Sequence, residues 1–355
     1  MQSGPRHPPR AGRNGFVAVI LAMTTLPAIA CRSDLPAAGS APVAAAEPRA
    51  VVGGITESEV ADHVAFLASD RLAGRATPSP GLEAAARYVA AEFAGAGLEP
   101  APGRELLQWY ALPGGGAANR APNAVGVLRG ADPDLRDTFV VFTAHMDHVG
   151  IGAPDASGDS IYNGADDDAS GTAALIEIAE AFAAVPERPA RSVAFVAVSG
   201  EELGLFGSRA FIEHGGIAVE RMVADVNIDM IGRNSPDSVV AIGMAYSDLG
   251  ARLARIVETR PELGLTVVDD PWPEERFFFR SDHYNFAAAG IPALFLFAGV
   301  HEDYHRPSDQ AERIDAGKIA RVAGAAFLLG LAVANDREPP GWTAAGRSAV
   351  RPPSR

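Results

Sequence analysis

The chain has 355 residues, 48% hydrophobic and 21% charged, with a formal net charge of −14. This composition excludes a disordered chain, because it holds enough apolar surface to offset the entropy of ordering. The 37 Gly and 27 Pro follow no three-residue period, which excludes a collagen-like fibre. The charge opposes any surface that must neutralise phosphates, so no nucleic-acid partner is expected.

Arg6, Arg10 and Arg13 are the only charged residues among the first 31, and an apolar run from Phe16 to Ala22 follows them. The segment ends in small residues, Ala28-Ile29-Ala30-Cys31, and reads as an export signal too short to be a membrane span. Its end resembles a bacterial lipobox, with Cys31 as the lipidated mature N-terminus. The expectation is a cell-envelope lipoprotein facing the periplasm or on the outer membrane; the alternative is a secreted protein with an incidental Cys31. Residues 32–53, rich in Ala and Pro, read as a tether. The body spans 54–336, and 337–355, with four Pro, reads as a flexible tail.

Within the body, Thr56 to Glu59 forms a capping box that opens a helix to about Ala68. Ser79-Pro80 opens a second helix that stops at Gly95 or Gly97. Apolar runs at 138–143, 193–198, 222–228 and 293–297 read as buried strands, with weaker candidates at 239–242 and 265–268. Helical segments are predicted at about 170–184, 208–214, 247–259, 282–289 and 315–334. Continuous apolar strands alternating with helices predict an α/β fold: a largely parallel, mixed central sheet in a three-layer α/β/α arrangement.

In such sheets ligands bind beyond the carboxyl ends of the strands. The polar residues lie there: His145-Met146-Asp147-His148, Glu201-Glu202, Asp229, and His301 to Tyr304-His305. Asp166-Asp167-Asp168 precedes the helix after the first of these loops. Each cluster alone has an ordinary reading, such as an N-cap or a solvated helix start. Together, so many acids and imidazoles at one rim need a counter-charge, which divalent cations supply. Nitrogen and carboxylate donors without thiolate suit zinc.

His145-x-Asp147, Gly164-Ala165-Asp166-Asp167, Gly200-Glu201-Glu202-x-Gly204, Asp229 and Tyr304-His305 resemble the co-catalytic zinc exopeptidases, the family of bacterial leucyl aminopeptidases, aminopeptidase Y and glutamate carboxypeptidase. The resemblance implies two zinc ions per chain, one on His145 and Asp229 and one on Glu202 and His305, with Asp166 bridging them and the Asp166–Asp167 peptide bond cis. It implies that Asp147 fixes the tautomer of His145 and that Tyr304 donates to the developing oxyanion. The implied activity is an exopeptidase, foremost an aminopeptidase, in which two zinc ions activate a water and Glu201 is the general base. Its substrates would be peptides, with the lipid anchor as its only membrane contact and no obligate protein partner. Alternatives on the same framework are carboxypeptidase or dipeptidase specificity and a single-zinc, glutaminyl-cyclase-like acyl transferase.

Arg280 and His301 are candidate substrate contacts, and Trp272 with Phe277 to Phe279 a candidate pocket wall. Asp309 is a candidate for orienting His305 or capping the next helix. His301-Glu302-Asp303-Tyr304-His305 matches H-E-x-x-H literally, but that motif needs a long helix, and Gly299 and Pro307 oppose one. Only about 40 residues separate Gly97 from Thr138, too few for the protease-associated domain that many relatives insert there.

Overall fold

The computed structural model describes residues 52 and 54–350, apart from 115, 117 and 118. The signal segment with Cys31 and nearly all of the tether therefore lie outside the described residues.

One eight-stranded mixed sheet organises the body, in the spatial order β1-β2-β6-β3-β7-β10-β8-β9. Its centre is four parallel strands, β6 (Ser192–Val198), β3 (Phe139–His145), β7 (Met222–Ile228) and β10 (Ala293–Phe297). Almost every residue in them is buried, as two covered faces require. The runs predicted as buried strands are these four, within two residues at each end.

On one side, β2 (Arg120–Leu128) pairs antiparallel with β6, and β1 (Leu107–Ala111) pairs antiparallel with β2. Neither was legible in the sequence: β2 carries Pro122 and Asn123 in a run that also reads as a turn. On the other side, β8 (Ser238–Ile242) pairs antiparallel with β10 and parallel with β9 (Thr266–Val268). A short hairpin, β4 (Gly150–Ile151) with β5 (Ile161–Tyr162), projects after β3.

Helices cover the sheet: α1 (Glu57–Leu67), α2 (Pro80–Gly95), α3 (Gly171–Ala184), α4 (Phe206–His214), α5 (Asp248–Thr259), α6 (His283–Ala288) and α7 (Ala316–Asn335). The N-cap half of the expected box is present, with Thr56 Oγ1 accepting from Glu59 N at 3.2 Å; the Glu59 carboxylate accepts from the Thr56 hydroxyl at 2.6 Å and not from a backbone N–H. Phe142 stacks on Phe195, and Phe182 joins Phe327 of α7 edge to face at 4.9 Å, tying helices to strands through the core.

The C-terminal segment is a correction. Through Val350 it is docked: Ser247 bridges Trp342, the Trp342 indole donates to Gly290 O at 2.9 Å, and α8 (Ala344–Ala349) follows with a Thr343 cap. Pro and Gly punctuate that segment without leaving it loose. A half-buried tryptophan packed against the core outweighs local composition.

Candidate active site

The four parallel strands point their carboxyl ends to one rim. His145 is the last residue of β3, Glu201 and Glu202 follow β6, Asp229 follows β7, and the loop holding His301 and His305 follows β10. The turn Ala165–Ser170 supplies the acidic triplet before α3.

Asp167 stands at the centre. Its Oδ1 lies 3.1 Å from His145 Nε2, and its Oδ2 lies 3.0 Å from His305 Nε2. Asp229 Oδ1 is 3.6 Å from His145 Nε2, and Glu202 Oε2 is 3.2 Å from His305 Nε2. His145, Asp229, Glu202 and His305 are thus brought together as the sequence suggested, but the carboxylate between them is Asp167 and not Asp166. Asp166 is turned away: Oδ1 accepts from Gly232 N at 2.6 Å and Oδ2 faces His301 Nε2 at 3.2 Å. The cis peptide likewise joins Asp167 to Asp168, one bond later than expected. In a run of three aspartates the residue that enters the site depends on the turn's dihedrals, and no motif spacing encodes those. Asp168 lies close to His145 and Asp229 as well, but its oxygens accept backbone N–H groups of Gly171 at 2.8 Å, Met230 at 3.1 Å and His145 at 3.2 Å. It staples α3 and β7 to the end of β3.

Four further residues hold this arrangement. Asp309 accepts from Asp166 N at 3.0 Å and Asp167 N at 3.2 Å, so it fixes the acidic turn instead of orienting His305. Gly164 has φ +58, and a Cβ there would overlap the Asp167 carbonyl and the His148 ring. Ser281 donates to Asp229 Oδ2 at 2.7 Å and accepts from Asn227 Nδ2 at 2.8 Å. Arg75, only 1% exposed, donates to Met146 O at 2.9 Å, Asn163 O at 2.6 Å, Gly164 O at 2.9 Å and Leu67 O. One guanidinium thereby locks the loop after β3 to the loop before the acidic turn. No local pattern could have revealed it, because Met146, Asn163 and Gly164 lie more than seventy residues away in sequence.

His148 is the residue that the sequence analysis left without a role. Its buried Nδ1 lies 2.8 Å from Glu202 Oε1 and 3.6 Å from Asp167 Oδ2. It adds an imidazole to the Asp167, Glu202 and His305 set, and the signal was present in His145-Met146-Asp147-His148. Asp147 is modified from expectation: its main-chain oxygen, at 3.2 Å, is the hydrogen-bond partner of His145 Nδ1, while its carboxylate lies 3.7 Å away. That carboxylate instead accepts from Thr77 Oγ1 at 2.8 Å and Glu201 N at 3.3 Å, which places the Glu201 loop.

Glu201, Arg280, Tyr304 and Phe277 line a small cavity of about 40 Å³ together with His145, Asp167 and Asp229. Arg280 lies 3.5 Å from Glu275 and over the Phe277 ring. Trp272 packs behind Phe277 and Phe297. His301 is not in that wall; its side chain is buried against Asp166. Its segment is a turn, His305 has φ +54, and the Glu302 carboxylate is exposed toward Arg313, so the H-E-x-x-H match carries no helix.

The electrostatics fit a cation site. Burial pushes the Glu201 carboxyl well above the usual range, with His145 opposing and Asp282, Asp229 and Glu202 adding to the rise. Burial pulls the His305 imidazole down, but Asp167 and Glu202 overcome it and hold it at about 10. Both ring nitrogens of His148, Nε2 of His305 and Oε1 of Glu202 are buried without a well-directed hydrogen bond, although His148 Nδ1 lies 2.8 Å from Glu202 Oε1 and His305 Nε2 3.0 Å from Asp167 Oδ2. Nitrogen and oxygen atoms of His148, Asp167, Glu202 and His305 that converge without good hydrogen-bond geometry are what a metal ion would satisfy.

Residues 123–329 match the family model described as Peptidase family M28. The chain belongs to that family. A probable zinc metalloprotease of Pyricularia oryzae is 27% identical over 77% of this chain and 62% of its own length. Leupeptin-inactivating enzyme 1 of Streptomyces exfoliatus is 27% identical over 78% of this chain and 58% of its own. The chain thus spans about three fifths of the length of these two relatives. Among solved structures, the LapA aminopeptidase of Legionella pneumophila superposes with a TM-score of 0.66 at 21% identity, covering 82% of this chain and 75% of that one. A glutaminyl cyclase of Porphyromonas gingivalis shares the fold with a TM-score of 0.63 at 15% identity, over 77% of this chain and 97% of that one. The fold of family M28 is therefore the fold of this chain.

Proposed function

We propose that this chain is a zinc-dependent aminopeptidase that removes the N-terminal residue of peptides. The observation that carries the reading is Asp167 standing between His145 and His305, with Glu201 lining the same cavity. Two zinc ions fit the donors: His145, Asp167 and Asp229 would hold one, and Asp167, Glu202 and His305, with His148 beside them, the other. Bound zinc supplies a lowered pKa for water and polarisation of the scissile carbonyl.

The chain's own residues do the rest. Glu201, its loop held by Asp147, takes the proton of the attacking water at its carboxylate and returns it to the leaving amine. Burial raises the Tyr304 phenol above its ordinary pKa, so it stays protonated at neutral pH and can donate to the oxyanion. The three carboxylates that line this cavity, Asp167, Glu201 and Asp229, favour a free ammonium over a carboxylate. Arg280, engaged with Glu275 and Phe277, is the one cation lining it among the described residues, which supports amino- over carboxypeptidase specificity. We also infer export with a lipid on Cys31, from the basic start, apolar run and small-residue end of the first 31 residues; radiolabelled fatty acid lost on Cys31→Ser substitution tests it.

Elemental analysis paired with release of amino acids from free and N-acetylated peptides tests the main reading. About two zinc per chain with cleavage only of free N-termini is the expected result. One zinc with cyclisation of N-terminal glutamine and no hydrolysis would replace it with the acyl-transfer reading.

A further inference from the structure

Strand β1 is the outer strand of the sheet, and among the described residues it pairs only with β2. Leu106 O accepts from Val125 N and Leu112 N donates to Asn119 O, so by alternation residues 107, 109 and 111 turn their main-chain groups to the open side. β1 runs parallel to β6, since both are antiparallel to β2. Its carboxyl end is therefore at the active-site rim. Tyr110 confirms the closeness, donating its hydroxyl at 2.8 Å to the carbonyl of Ser199, two residues before Glu201.

A groove of about 820 Å³ runs between β1 and α4 from this point. Arg104, Arg120 and Arg209 line it. Among the described residues none of the three has a carboxylate within ion-pair distance, although the chain carries a net charge of −14. Two of the three are held by rings: Arg120 lies 5.7 Å from the centre of Trp109 and Arg209 5.7 Å from that of Phe206. A guanidinium held against a ring loses little entropy on meeting a carboxylate, and of the Arg120 donors Nη2 already reaches the outward Trp109 carbonyl at 3.4 Å. Glu105 and Glu213 also line the groove, which leaves an excess of one positive charge.

We propose that this groove holds the downstream part of the peptide substrate as an extra antiparallel strand on β1, and that it selects peptides with acidic residues after the scissile bond. The proposal rests on the peptidase reading above. A peptide whose N-terminus sits beside Glu201 would leave along β1 from Ala111 toward Arg104, forming main-chain hydrogen bonds at the open edge. The seven steps from Ala111 to Arg104 span about 23 Å at about 3.3 Å each, so six or seven downstream residues would fill the groove. Arg120, paired in register with Ala111, would meet the first of them, and Arg104 the last.

The test uses the zinc-loaded full chain and octapeptides sharing one N-terminal residue, with Asp, Ser or Lys at the downstream positions, beside a short aminoacyl amide. The acidic octapeptide is expected to exceed the basic one in kcat/KM by about ten-fold or more, mostly through KM, and to lose that advantage in about 0.5 M salt. In the Arg104→Gln, Arg120→Gln, Arg209→Gln triple variant, the ratio of acidic octapeptide to short amide should fall toward that of the neutral peptide. Equal kcat/KM across the octapeptides, in an enzyme that cleaves the short amide, overturns the groove assignment alone. No cleavage of the short amide overturns the peptidase reading on which it rests.

Discussion

Arg75 offers the most demanding test of how the site is held. Replacing it with Met keeps much of its length and apolar stem but removes donors to the carbonyls of Leu67, Met146, Asn163 and Gly164. Each buried carbonyl left without a donor costs roughly 1–3 kcal/mol. Part of that is returned, because the variant no longer buries a charge, whose desolvation is the largest influence on Arg75 and pulls its pKa down. The balance is a loss of about 3–5 kcal/mol, the usual consequence of breaking a buried charged network. Against a typical total of about 5–15 kcal/mol, such a loss is large. Arg75→Lys keeps the charge but offers three donors from one point, so it should lose less, about half as much. Urea denaturation of the wild type and both variants, stripped of metal, measures these differences. A loss under about 1 kcal/mol for the Met variant would refute the claim that Arg75 locks the two loops.

Glu201→Gln should lower kcat by about 10²–10⁴-fold with zinc content unchanged, while Glu302→Gln, on an exposed side chain, keeps most activity; peptide hydrolysis with the pattern reversed would return the H-E-x-x-H reading. Asp167→Asn should strip zinc from both positions, whereas Asp166→Asn, which can still accept from Gly232, should weaken zinc by no more than about 10–100-fold. Competition with a chromophoric chelator decides, and equal losses would place Asp166 back between the metals. His63 lies outside the set of site residues: burial lowers its pKa, but the Glu177 carboxylate, 3.5 Å away, more than compensates and holds it above 6.5. The pair's stabilisation is therefore complete below the unfolded value and fades as pH rises through the raised folded one. The stability gap between wild type and His63→Gln should be larger at about pH 6 than at about pH 9; a gap that grows with pH would contradict the pairing.

The four central strands and the donors at their ends are legible in the order of the residues. Uninterrupted apolar runs such as Val193–Val198 have few other ways to bury two faces, and the residue that follows each run must emerge at the rim. His145, Glu201, Glu202, Asp229 and His305 were legible for that reason. Tertiary structure alone decided what depends on dihedrals or distant partners. It chose Asp167 over Asp166 within one acidic turn, aimed His148 at Glu202, and buried His301 against Asp166. It recruited Arg75 from a segment with no motif and made β1 and β2 into the edge beside the site. It also docked a Pro-containing tail through Trp342. Periodicity reports which residues face the core, because burial is a property of a whole face. Which of several adjacent polar groups turns inward is settled by the hydrogen bonds that residues far along the chain provide.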